Sequence, residues 1–316
     1  MFKVQKHKLG RFDAVRLIND STGEYLEVLS EFGAGLNTLV IKNGEDQLIS
    51  VLDGYQSETE IFEQHHFAYR GSKLSPIPNR VYKGKYKFDN QSYQLPINEV
   101  KANNSLHGFL HNRPFEQIEE YEGEDKAAVK MVHSYKGIDR GYPFSYEIAV
   151  SYHFDATGLT VQTDIENVSV TTIPIGDGWH PYFSFENLDD IFFQMNPTKR
   201  VYSGVGNKLS GTHGFESAKV IGKTKFDDCF EIADNENFAV RLKDENRHFE
   251  LEIWQDSEDK KYKYVQIYTP PDRKSIALEP VTCAPNAFNT GQGLIELKPN
   301  EKVSMSFGIK NILQNN

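Results

Sequence analysis

Cysteine is nearly missing from this sequence. Its two residues in 316, Cys229 and Cys283, cannot build the disulfide framework of a small secreted domain. No run of eighteen apolar residues occurs, which excludes a membrane-spanning helix. Met1 to Gly10 carries three lysines and a histidine but no apolar core, so no secretory signal is expected. A cytoplasmic protein with reduced thiols is the simplest expectation. An excess of positive charge is lacking too. Against 35 Lys and Arg stand 45 Asp and Glu, a net charge of −10. No basic face is therefore expected for phosphates or anionic lipids, so neither nucleic acid nor membrane is an expected partner. There is no βαβ alternation, no Gly-rich phosphate loop, no internal repeat and no low-complexity linker. No segment holds a 3.6-residue period beyond two turns, and no shift in composition marks a boundary. A single domain over residues 1–316 is expected, as a monomer or homodimer.

What is abundant is aromatic. The 16 Tyr and 21 Phe favour strands, where large rings pack on a pleated surface. The dominant period is two. Tyr146, Ile148, Val150, Tyr152 and Phe154 share one face, and Leu159, Val161, Thr163 and Ile165 repeat the pattern after a turn. Phe249, Leu251 and Ile253 form another such face, as do Val303, Met305, Phe307 and Ile309. Tyr262 to Tyr268 is apolar on both faces, as in a strand between packed layers. Lys85–Phe88 and Ser92–Leu95 flank Asp89-Asn90-Gln91 as a hairpin. The fold class expected is all-β, a large antiparallel sandwich.

Four segments break the strand rhythm with polar residues. In Ser75-Pro-Ile-Pro-Asn-Arg80, two prolines stiffen the chain before Asn79 and Arg80. A guanidinium offers a rigid fork of donors for hydroxyl oxygens, although a surface salt bridge would use it equally. In Asn103-Asn-Ser-Leu-His107-Gly108 the glycine allows close backbone approach beside a loop histidine. In Asp177-Gly-Trp-His180-Pro-Tyr182-Phe183 a histidine sits among rings suited to stacking on a sugar, or to an ordinary core. Two carboxylate segments complete the set. Asp227-Asp228-Cys229-Phe230 reads as a site or a turn, and Glu279 closes the apolar run Ser275 to Leu278, where burial would raise its pKa. His65 and His66 are adjacent and on a strand would face opposite ways, so no metal site is assigned to them.

In this order and spacing, these segments resemble the aldose 1-epimerase family, also called galactose mutarotases. The resemblance spans nearly the whole chain. It runs from Asn79-Arg80 and Tyr93-Gln94-Leu95-Pro96 through Asn104-Ser-Leu-His-Gly108, Trp179-His-Pro-Tyr-Phe183 and Asp227-Asp-Cys-Phe230. It ends with Leu278-Glu-Pro280 and Lys298-Pro-Asn-Glu301. The resemblance implies a single large β-sandwich, or supersandwich. It implies Glu279 as general base and His180 as general acid, with Arg80, His107 and Asp227 orienting sugar hydroxyls and Asn79, Trp179 and Tyr182 lining the site. The sequence departs from the galactose-specific pattern at Trp179-His180, where that pattern has Asn-His. It departs again at Asp227-Asp-Cys-Phe230, where the pattern has Asp-His-Asn-Phe. Both departures bear on which sugar is bound.

The reaction so implied interconverts the α and β anomers of a free hexose and demands neither cofactor nor metal. Ordinary pKa values of about 4.3 for Glu and about 6.5 for His would give an ionised Glu279 and a protonated His180 near neutral pH. Three rivals remain at this level. A hexose-6-phosphate 1-epimerase would need a basic cluster, for which Arg70, Lys73 and Arg80 lie close in sequence. A non-catalytic carbohydrate-binding or regulatory module would keep the cleft alone. A glycosidase would pair Glu279 with Asp227 or Asp228.

Overall fold

The computed structural model describes residues 1–196, 198–203, 207–208, 214–233 and 238–312; for 198–203 and 207–208 it describes the backbone alone. Alternating sequence has become antiparallel sheet. Five consecutive strands from Phe2–Leu9 to Leu48–Ser50 form one meander. A nine-stranded sheet runs in the order Glu116–Glu122, Lys126–Tyr135, Tyr146–Asp155, Gly158–Asn167, Lys302–Asn311, Phe249–Gln255, Phe238–Asp244, Phe192–Met195, Lys219–Val220. An eight-stranded sheet is built around Asp227–Ile232, Tyr264–Tyr268 and Ser275–Val281, with Gly178–His180, Tyr182–Ser184 and Ser72–Leu74 on one side. The expected hairpin is present: Asp89 and Asn90, both at positive φ, turn Lys85–Phe88 into Gln91–Gln94.

The inward faces of the three sheets share one apolar core. Leu26 and Val28, Val150 and Tyr152, and Ile267 and Ile276 all belong to it. A polar knot lies inside that core. Lys73 is ion-paired with Asp177, and both side chains are fully buried. Thr163, from the nine-stranded sheet, has its hydroxyl within hydrogen-bonding distance of Lys73 Nζ (3.2 Å), Tyr262 OH (3.2 Å) and Trp179 Nε1 (3.3 Å). These bonds tie the two large sheets together and satisfy groups that would otherwise be costly to bury.

One element contradicts the strand reading. Glu58–Ala68 is a helix, and it carries His65 and His66. Ser57 caps it by accepting from Glu60 N at 3.2 Å, and Glu60 reaches back to Gln56 N at 2.8 Å. That Ser-x-x-Glu pattern is a helix-start signal. The helix shows little amphipathic contrast because Phe62 and Phe67 stay exposed while Ile61 and His65 are buried. No helix among the described residues is long and apolar enough to cross a membrane.

Candidate active site

Strand register assembles the site. Gln266 pairs with both Cys229 and Glu279; two residues along, Tyr268 pairs with Asp227 and Ala277, and Tyr182 pairs with Ala277. Side chains alternate faces at period two, so Glu279, Gln266, Tyr268, Asp227 and Tyr182 share one face. Their neighbours Phe230, Val265, Ile267, Ile276 and Leu278 enter the core from the other. The site therefore lies on the face of the eight-stranded sheet turned away from the sandwich interior.

The proline-stiffened segment covers that face. Asn104, Ser105 and Leu106 pair with Tyr82, Val81 and Arg80, which sets His107 beside Asn79. His107 itself takes φ +63°, and Gly108 follows at φ +68°, where a Cβ would stand 2.5 Å from Ser75 O. This turn thus requires glycine. His107 Nδ1 lies 3.0 Å from Pro78 O. A carbonyl only accepts, so Nδ1 carries the hydrogen and Nε2 remains an acceptor. Asn79 Nδ2 donates to Gln266 Oε1 and Gln266 Nε2 donates to Asp227 Oδ1, each at 3.3 Å.

His180 and Glu279 meet at the centre. His180 Nε2 lies 3.5 Å from Glu279 Oε1, and both residues are buried, at 5% and 2% exposure. His180 Nδ1 and Glu279 Oε2 have no hydrogen-bond partner among the described residues. Leaving buried polar atoms unpaired costs stability, and such costs collect where chemistry is done. Tyr182 stacks on the imidazole, ring centres 4.8 Å apart and 16° from parallel, which fixes its plane. The His107 ring meets it edge-on at 5.2 Å.

Burial governs the protonation of this pair. It pushes Glu279 well above the ordinary carboxyl range, with Asp227 adding to the rise and Arg80 opposing it. It pulls His180 down to about 3, helped by Arg80. His107 is likewise pulled well down, by burial first and then by His180 and Arg80. Burial raises Asp227, again opposed by Arg80. Burial therefore opposes both the ionised Glu279 and the protonated His180 that ordinary pKa values would give, and so disfavours the charged form of each side chain.

Several expectations need correction. Trp179 does not line the site; it is fully buried in the core against Tyr152 and Phe307, with Lys73 over its ring at 4.5 Å. Strand alternation explains this, because His180 and Trp179 are consecutive and must face opposite ways. The suspected basic cluster is dispersed as well. Lys73 pairs with Asp177 in the core, Arg70 with Glu60 (2.8 Å) and Asp53 (3.4 Å), and Arg80 with Glu99 (3.0 Å).

Gln266 and Glu99 escaped the sequence reading. The one signal for Gln266 was a lone polar residue inside Tyr264–Tyr268; Glu99 gave none. Behind His107 stands a second tier in which Tyr69 packs against both His107 and His111, and His111 Nδ1 meets His65 Nε2 at 2.7 Å. Cys229 and Cys283 are buried thiols. Burial raises both, Cys283 to about 12, and neither suits a nucleophile. Among the described residues no group of three or more His, Cys, Asp or Glu is placed to hold a metal. A cavity of about 920 Å³ opens outside the nine-stranded sheet beside Arg241, Glu252, Trp254 and Lys310. Its charged residues pair with one another at the surface and offer no buried acid–base couple.

A family model for aldose 1-epimerase matches residues 15–310. The chain belongs to the aldose 1-epimerase family. Its relatives include an uncharacterized Escherichia coli K12 protein, YihR, 31% identical over 260 residues, 78% of this chain and 80% of that one. Human galactose mutarotase is 27% identical over 153 residues, 48% of this chain and 42% of its own. Among solved structures, a galactose mutarotase-like protein of Clostridium acetobutylicum superposes with a TM-score of 0.83. It is 19% identical and covers 98% of this chain and 99% of that one. Galactose 1-epimerase of Lactobacillus acidophilus NCFM gives 0.78 at 18% identity, covering 98% of each. These distant structural matches establish the shared fold of the aldose 1-epimerases. The sandwich expected from the strand pattern is that fold.

Proposed function

We propose that this aldose 1-epimerase family member interconverts the anomers of a free, uncharged hexose, with Glu279 and His180 as its acid–base pair. The observation that carries the reading is that pair: 3.5 Å apart, buried, each with a polar atom unpaired among the described residues. In ring opening the C1–O5 bond breaks, the O1 proton passes to one member and O5 takes a proton from the other. The aldehyde turns about C1–C2, and ring closure returns both protons with the roles exchanged. One proton on the pair suffices. With that proton on the imidazole, Glu279 is the base and His180 the acid; with it on the carboxyl, the roles are reversed. Arg80, His107, Asp227 and Asn79 orient hydroxyls, and orientation is worth much of the rate.

Pairing of Arg70, Lys73 and Arg80 with carboxylates speaks against a phosphosugar, whose phosphate needs uncompensated cations. The same reading has the protein working in the cytoplasm, where its buried thiols stay reduced.

Polarimetry of freshly dissolved α-D-glucose and α-D-galactose tests the proposal. Wild-type protein accelerates at least one, and Glu279→Gln or His180→Asn loses about 10²–10⁴-fold in kcat, the usual worth of a positioned acid or base. Inorganic phosphate leaves KM unchanged. A folded Glu279→Gln protein with near-native turnover would remove the carboxyl from the mechanism.

A further inference from the structure

Arg80 is held at its Nε. Its Nε–H is met by both oxygens of Glu99, at 3.0 and 3.1 Å. Its two terminal amino groups make no hydrogen bond among the described residues. Glu99 is itself fixed. Its Oε2 accepts from Asn104 Nδ2 at 2.8 Å, and its backbone N–H and C=O pair with those of Asn104 at 3.2 Å. The preceding residue repeats the pattern. Asn98 accepts from Leu106 N at 2.7 Å, donates to Leu106 O at 2.8 Å and reaches Tyr69 OH at 3.3 Å. The chain at 98–99 is thus fastened to the strand that carries His107.

A guanidinium has five N–H donors, and gripping it at Nε leaves the four on its two amino groups in one planar fork. We propose that Glu99 is a positioning residue of this site: it anchors Arg80 through Nε alone and so presents the paired amino groups to two neighbouring oxygens of the sugar. The sugar rests on the aldose 1-epimerase reading above; the anchoring does not. Glu99 also offsets the positive charge of Arg80 at the acid–base pair. Facing that pair are Arg80 and His107 from the covering segment, Asp227, Cys229 and Tyr268 from the sheet, and Tyr182 from the neighbouring strand, with His65 of the helix within electrostatic reach of His180. Glu99 already raises Asp227. Without it, the field of Arg80 at His180 and Glu279 is less compensated, and positive potential favours deprotonated forms.

Two measurements on Glu99→Gln decide the matter. In ¹⁵N NMR, with the Arg80 Nε–H resonance assigned through Arg80→Lys, hydrogen exchange of that group speeds up by about tenfold or more, as expected for loss of a charge-assisted bond. By polarimetry, KM rises about tenfold while kcat stays within about twofold, the signature of lost uniform binding. Both limbs of the pH–rate profile move to lower pH, and Glu99→Asp restores part of the KM. A merely structural Glu99 would lower the melting temperature without moving KM or the limbs. Unchanged exchange, or unchanged KM and limbs in a folded variant, overturns the proposal. Should wild type turn over no sugar, the aldose reading fails, and the exchange measurement alone still decides the anchoring.

Discussion

At the scale of single residues, the proposed acid–base pair consists of groups made unstable in their charged forms. Burial raises Glu279 and lowers His180 to about 3, so each resists its charged form. The sign of the pH dependence follows. Uptake of a second proton requires a charged His180, so the acid limb of kcat lies below the ordinary histidine value. Loss of the only proton comes from Glu279, so the alkaline limb lies above the ordinary carboxyl value. Because the two are adjacent, both limbs belong to the pair. A pH–rate series should show the acid limb below the ordinary histidine value; an acid limb at about 6.5 or higher would contradict the buried, neutral imidazole. The sequence motifs singled out Glu279 and His180. Their burial was not legible there, because reference pKa values carry no information about desolvation.

At the scale of elements, register does the assembly. Strands pair by local alternation, and once Gln266 stands opposite Glu279 the shared face follows. The same alternation, applied strictly to Trp179-His180, shows from sequence that both cannot face a sugar. The Glu58–Ala68 helix was illegible to periodicity because its exposed Phe62 and Phe67 spoil the apolar stripe. Its Ser57-x-x-Glu60 cap went unread as well. Ser57→Ala should lower stability by about 1 kcal/mol, the usual worth of an N-cap, as read by urea denaturation. kcat should not change, because Ser57 caps the end of the helix remote from His65, the residue that packs on Tyr69 and His111.

At the scale of the whole molecule, the Lys73–Asp177 knot joins the two large sheets from within. Breaking a buried pair on one side strands a charge, so Asp177→Asn should cost about 3–5 kcal/mol. Replacing both partners, as in Lys73→Met with Asp177→Leu, should recover much of that loss by removing the charges altogether. Thermal unfolding of the single and double variants separates these outcomes. If the double variant is no more stable than Asp177→Asn, the pair is needed for the packing of Thr163, Trp179 and Tyr262 rather than for charge balance.

Sequence by itself determined the strand class and the polar segments in their family order. It also determined the residue types able to exchange protons. These are local properties, set by side-chain alternation and by neighbours a few residues apart. Tertiary structure alone decided which cations are free, which carboxyl is desolvated and which ring is core. Those depend on contacts between residues 104 apart, as in Lys73 and Asp177, or 187 apart, as in Asn79 and Gln266. Burial and through-space charge act between such distant segments, and no periodicity along the chain encodes them.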